Sequence, residues 1–172
     1  MKNQRVSNRK IFTISTAGID DAEVVGFVHS TAWKQAYTDV FPEEYLNVDT
    51  PDKRKQEFLE ACKNKNAAYY LMYEDKKAIG ILKVIDITSN DCEISSFYIL
   101  NDFRNKGYGK QAVAYLKDAF GTGRIQLWVL EENVKARHFY ENNGFKNTGK
   151  TRNIYRGSSY TQLLYEFLYE FL

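Results

Sequence analysis

The sequence predicts a single α+β domain, a mostly antiparallel sheet of about seven strands with about four helices packed around it. Three observations lead there. Residues 67–100 hold three runs rich in Ile, Val, Leu and Tyr, separated by polar turns, which is the pattern of an antiparallel meander. Segments with apolar residues at helical spacing stand on both sides of that block. The 172 residues include only two prolines, Pro42 and Pro51, and no Gly/Ser-rich stretch, so residues 1–172 are expected to form one domain, with 1–9 disordered.

In chain order, Ile-Phe-Thr-Ile-Ser at 11–15 alternates with the period of a strand. Asp20 and Asp21 offer an N-cap for a helix through about Tyr37, with Val24, Val25, Val28, Ala32 and Ala36 along one stripe. Phe41 to Leu46 reads as a turn and a short helical piece. Thr50 caps the next helix and Pro51 takes its first position, with Phe58, Leu59 and Cys62 on the apolar side. The meander follows at 67–73, 78–87 and 92–100. A helix then runs to about Phe120, carrying Ala112, Val113 and Leu116, and Gly121 and Gly123 stop it. Residues 125–129 form a strand, 133–142 a short helix with Ala136, Phe139 and Tyr140, and 145–150 with 160–167 a closing hairpin. The end is a tandem repeat, Tyr165-Glu-Phe-Leu168 and then Tyr169-Glu-Phe-Leu172. It is either a lengthened last strand with a frayed end or an apolar tail that docks on a partner subunit.

Composition narrows the function. The net charge is +2, and four unopposed basic residues (Lys2, Arg5, Arg9, Lys10) supply more than all of it, so the folded body is not a basic nucleic-acid binder. No apolar run is long enough for a membrane span or a secretory signal, which points to the cytoplasm. Cys62 and Cys92 are read as reduced thiols, and neither His29 nor His138 has a ligand partner at metal-site spacing, so no metal is expected.

The informative stretch runs from Cys92 to Phe145. Arg104-Asn-Lys-Gly-Tyr-Gly109 leads into a helix, and such a loop can cradle a diphosphate. Its glycines permit close backbone approach, the first helical amides point outward, and the helix dipole favours an anion. Arg104, Lys106 and Lys110 add positive charge. Gly107-Tyr-Gly-Lys-Gln-Ala112 also matches the glycine pattern of dinucleotide-binding folds, with Glu131 as the acid. Two features oppose that reading: six residues separate Leu100 from the first glycine, and too little chain follows Glu131 for further βα units.

These residues resemble the GNAT superfamily of acyl-CoA-dependent N-acetyltransferases. Arg104 to Gly109 fits the family's pyrophosphate loop after a strand ending Phe97-Tyr-Ile99. Asn133, then Ala136-Arg-His-Phe-Tyr140 and Asn143-Gly-Phe145, fits its second motif in the right order and spacing. Trp33-Lys-Gln-Ala-Tyr37 and Phe41-Pro-Glu-Glu-Tyr-Leu46 are similar to the family's amino-terminal helices.

The resemblance implies a sheet splayed between its fourth and fifth strands, with acetyl-CoA as cosubstrate in the gap. Tyr98 and Ile99 would hydrogen-bond the pantetheine arm through their main chains, and a backbone amide there would polarise the thioester carbonyl. Arg104, Asn105, Lys106, Gly107, Tyr108, Gly109 and Lys110 would take the diphosphate, and Asn133 would contact CoA through its amide. Tyr140 would face the departing sulfur. Glu93, placed by strand alternation on one face with Ser95, Phe97 and Ile99, is the candidate general base; relatives carry a second acid where this chain has Ser95. Trp33, Tyr37 and Tyr45 are candidates for the acceptor wall. The expected reaction is acetyl transfer to a primary amine of a small molecule, polyamine-like or another, with a homodimer common among relatives. The alternatives are a protein N-terminal or lysine acetyltransferase and a non-catalytic CoA-sensing or partner-binding domain.

Overall fold

The computed structural model describes residues 10–86, 88, 91–120 and 123–169. The strands are β1 (Phe12–Thr16), β2 (Ala67–Glu74), β3 (Lys77–Ile85), β4 (Cys92–Ile99), β5 (Arg124–Leu130), β6 (Lys146–Tyr155) and β7 (Ser159–Leu168). They form one sheet in the order β1-β2-β3-β4-β5-β7-β6. The α-helices are α1 (Ala22–Tyr37), α2 (Glu43–Asn47), α3 (Pro51–Asn64), α4 (Tyr108–Phe120) and α5 (Val134–Asn142). Neighbouring strands pair antiparallel except β4 and β5, which run parallel. A parallel neighbour requires a crossover, and α4 provides it. Among the described residues no helix is long and apolar enough to cross a membrane.

Helices cover both faces of the sheet centre, so its strands are apolar on both sides. On one face Val25 and Val28 of α1 and Phe58 and Ala61 of α3 pack on Tyr69, Leu71 and Ile81. On the other, Val113 and Leu116 of α4 and Tyr140 of α5 pack on Leu82, Val84, Ile94, Leu127 and Tyr165. The alternation within β2 and β3 thus feeds two cores, one per face.

Thr50 caps α3 as expected, its hydroxyl accepting from the Lys53 N–H at 3.2 Å, with Pro51 as the first helical residue. Asp21 stands at the N-cap of α1 but does not cap it. Its carboxylate turns back to accept from the Gly18 N–H at 2.8 Å, closing a 3-10 turn at Ile19–Asp21. The closing hairpin is longer than its apolar pattern suggests, because β6 is an edge strand with only Ile154 half-buried and so shows no alternation in sequence. The first copy of the terminal repeat ends β7. Tyr169 packs edge-on against Phe167 at 5.0 Å and donates its hydroxyl to the Lys117 carbonyl. Residues 1–9, where disorder is expected, and the rest of the second repeat lie outside the described residues.

Candidate active site

The site begins where the sheet comes apart. β4 and β5 share three register pairs, Cys92 with Ile125, Glu93 with Gln126 and Ile94 with Leu127. Beyond them β4 continues on β3 and β5 on β7, leaving a gap that no strand fills. A β-bulge coincides with the parting. Lys83 faces Ser96 and Val84 faces Ile94, so Ser95 is the extra, exposed residue.

The bulge corrects the expected alternation, because one inserted residue moves every later side chain to the other face. Phe97 packs with Ile94, and Ile99 packs with Phe103, while Glu93 shares a cavity with Ser96 and Tyr98. The backbone direction corrects a second expectation. The Leu100 N–H donates to the Ile79 carbonyl of β3 at 2.9 Å, so by alternation the peptide groups of Tyr98 also face β3. Those of Phe97 and Ile99 face the gap. The Ile99 carbonyl accepts there from Arg104 Nε at 2.8 Å. Phe97, not Tyr98, therefore joins Ile99 in offering main-chain groups, and Tyr98 contributes its side chain.

A cavity of about 770 Å³ follows the gap from the glycine loop to α5, within the range of small-molecule sites. At the loop end Asn105 and Gly107 have positive φ (60° and 83°), which swings the chain into α4 and leaves the first amides of that helix without intrahelical partners. Gly109 is needed for closeness, since a Cβ there would lie 3.0 Å from the Phe139 ring of α5. Arg104, Asn105, Gly107, Tyr108, Gly109 and Lys110 all line the cavity.

Two side chains of the loop act as anchors, contrary to expectation. The Tyr108 ring stacks on Phe12 at 4.7 Å and its hydroxyl donates to Glu74 at 2.6 Å, so only its main chain is available to a ligand. Lys106 pairs with the same carboxylate at 3.3 Å and is absent from the cavity wall. Buried Glu74 also binds Lys10, and these partners hold its carboxyl down at about 2 while Glu74 pushes the Tyr108 phenol up to about 12.

At the other end Tyr140 is buried against Phe139 and Phe145, with ring centroids 5.2 and 5.6 Å away. Burial pushes its phenol well above a tyrosine's ordinary value. Its hydroxyl makes no hydrogen bond among the described residues, and the ring lines the cavity. Asn133 caps α5, Oδ1 accepting from the Ala136 N–H at 3.1 Å, which leaves its amide NH₂ for the cavity it lines.

A second cavity, about 230 Å³, adjoins the first and shares Tyr37, Ile94, Ser95, Ser96, Tyr98 and Trp128 with it. Trp33 and Tyr37 of α1 line it. Tyr45 does not; it packs behind Phe41 and Trp33. Glu93 lines this cavity and accepts from Gln126 Nε2 at 2.9 Å. Sequence reasoning missed Ser96, Trp128 and the basic residues Lys83, Arg152 and Arg156 of this wall. Trp128 had a signal, its place in the strand beside the gap. The basic residues had none, because they come from β3 and from the solvent-patterned strand and turn of the hairpin.

Comparisons with known proteins agree with this geometry. Residues 30–145 match the acetyltransferase (GNAT) family. The chain is 25% identical over 142 residues, 77% of its length and 87% of the relative's, to the spermidine N(1)-acetyltransferase of Thermoplasma acidophilum. Its fold is similar to the crystal structure of the PaiA N-acetyltransferase of T. acidophilum in complex with coenzyme A, with a TM-score of 0.72, 23% identity and coverage of 92% and 99% of the two chains. It is also similar to the spermidine N-acetyltransferase of Vibrio cholerae in complex with CoA and spermine, with a TM-score of 0.70, 19% identity and coverage of 91% and 95%. The match spans the loop, the split sheet and α5 together, and the chain belongs to the GNAT family of acetyltransferases.

Proposed function

We propose that this N-acetyltransferase moves the acetyl group of acetyl-CoA to a primary amine of a small molecule by direct attack. The observation that carries the reading is the gap between β4 and β5, a cavity with peptide groups that no neighbouring strand pairs along one side, helix amides at one end and a free phenol at the other. Those groups fit the coenzyme's parts. The first amides of α4, with Arg104 and Lys110, suit the diphosphate. The gap-facing peptides of Phe97 and Ile99 suit the amides of the pantetheine arm, and the Asn133 NH₂ adds one further donor.

Acetyl-CoA supplies an activated acyl carbonyl. Glu93, in the adjoining cavity, accepts the proton that the acceptor's ammonium must lose before its nitrogen attacks. The new N–C bond forms as the C–S bond breaks, and Tyr140 donates a hydrogen bond to the departing sulfur. The products are the acetamide, free CoA thiol and one proton. Trp33 and Tyr37 wall the acceptor side.

The experiment is thiol release from acetyl-CoA across a panel of amines, with acetyl-CoA binding measured by calorimetry. The expected result is saturable binding and amine-dependent release. Binding without release on any amine removes the transferase reading for small amines, and no binding removes the coenzyme site.

A further inference from the structure

The wall of the smaller cavity carries more positive charge than a polyamine pocket would tolerate. Arg54, Lys83, Arg152 and Arg156 line it, and Glu93 is its single carboxylate. Arg54 is neutralised, paired with Asp49 at 2.5 Å and Glu57 at 2.9 Å. The other three cations have no carboxylate within 4.0 Å among the described residues. Lys83 is half-buried, with its ammonium 5.3 Å from the Tyr69 ring centroid. Arg152 lies over Trp128 with its Cζ 4.3 Å from the ring centroid, and its Nε donates to Gln162 at 2.7 Å. That bond fixes the plane of the guanidinium and leaves its two terminal nitrogens free. Arg156 is held by its bond to the Tyr155 carbonyl at 2.9 Å.

The coenzyme reading does not use these charges. The diphosphate loop lines only the larger cavity, and Lys83, Arg152 and Arg156 line only the smaller one. Oriented, unpaired cations beside a single acid are complementary to a zwitterion, and an arginine fork with a nearby lysine matches a carboxylate or phosphate. A polyamine would bring several ammonium groups against them.

We infer that the acceptor is an amine that also carries an oxyanion group, a carboxylate or a phosphate. Lys83, Arg152 and Arg156 hold the oxyanion, and Glu93 faces the ammonium. The inference rests on the transferase reading and names its substrate class.

The test compares kcat/KM for free amino acids, phosphoethanolamine, butylamine and spermidine with the full chain at saturating acetyl-CoA. At least one anionic amine is expected to exceed both butylamine and spermidine by about tenfold, the scale of one charge pair across an interface. The amino-acid and phosphoethanolamine arms distinguish carboxylate from phosphate. Arg152→Glu should raise KM for that acceptor about tenfold or more, narrow its advantage over spermidine, and leave the Kd for acetyl-CoA unchanged. Lys83→Gln, with no reversal of charge, should act in the same direction. Spermidine or butylamine as the best acceptor, selectivity unmoved in both variants, or acetyl-CoA binding with no turnover of any anionic amine would each overturn the inference. Loss of acetyl-CoA binding by the unsubstituted chain would instead strike the coenzyme reading.

Discussion

The hydroxyls of Tyr37 and Tyr98 lie 3.4 Å apart at the seam where the two cavities meet. The contact ties α1 to β4 beside the parting of the sheet, with the rings edge to face at 6.0 Å. Burial raises both phenols above their ordinary value, Tyr98 the more strongly. Both are therefore neutral at pH 7. Tyr98→Phe removes the bond and is expected to cost about 1 kcal/mol in urea unfolding at neutral pH. The sign at high pH follows from the raised pKa. Above pH ~10 tyrosines of the unfolded chain ionise before the buried ones, so folding weakens as pH rises. The variant should lose less stability than the unsubstituted chain between pH 9 and 11, and an equal loss would show that Tyr98 does not contribute to it.

Glu74 sets the acid side. Its carboxyl is held at about 2 by the hydrogen bonds from Lys10 and Tyr108, with Lys106 adding a third. A depressed pKa contributes stability that is complete above the carboxyl's ordinary value of 4.5 and is lost as pH falls towards 2. Glu74→Gln should therefore lower the melting temperature at pH 7 and flatten its decline between pH 4.5 and 2. The same variant releases Tyr108 and Lys106 at the foot of the glycine loop, so its Kd for acetyl-CoA should rise. An unchanged melting curve across that pH range would show that the cluster does not hold the loop.

Much of this molecule was legible in its residues, for identifiable reasons. The meander, Thr50 cap and helix starting near Tyr108 follow from local pattern and chemistry, and the ordered motifs from Arg104 to Phe145 pointed to the split sheet. What stayed hidden was decided by non-local contacts. The bulge at Ser95 depends on how β4 meets β3, and it shifts Phe97, Tyr98 and Ile99 from the faces that simple alternation assigns. Tyr108 and Lys106 read as ligands of an anion until Glu74, far upstream in the chain, is seen beneath them. The basic wall of the smaller cavity joins residues from β3 and the closing hairpin, which no sequence window contains.

The two loop glycines should fail in different ways. Gly107 has φ of 83°, and a methyl group added to it would meet nothing within 4 Å, so Gly107→Ala strains only the backbone, at about 1–2 kcal/mol. A Cβ on Gly109 would lie 3.0 and 3.1 Å from two atoms of the Phe139 ring, so Gly109→Val must displace α5's aromatic wall. Both are expected to weaken acetyl-CoA binding in calorimetry, Gly109→Val the more, because it disturbs the cavity wall as well as the loop. Unchanged affinity in both variants would remove this loop from the coenzyme site.

Tyr140→Phe isolates the leaving-group step. The ring's contacts with Phe139 and Phe145 persist in the variant, so the fold and the Kd for acetyl-CoA should be retained. What is lost is one hydrogen bond to a sulfur that gains negative charge, worth about 1.5–3 kcal/mol, so kcat should fall by about 10- to 100-fold. Because burial lifts this phenol well above its ordinary value, it stays protonated through neutral pH and beyond. It cannot be the source of a fall in kcat between pH 7 and 10. Donation of a hydrogen bond is then the role proposed for it, since full transfer of so tightly held a proton to a thiolate is uphill. A variant that keeps full kcat would exclude Tyr140 from the reaction, and one that loses kcat together with acetyl-CoA affinity would make it a wall of the cavity instead.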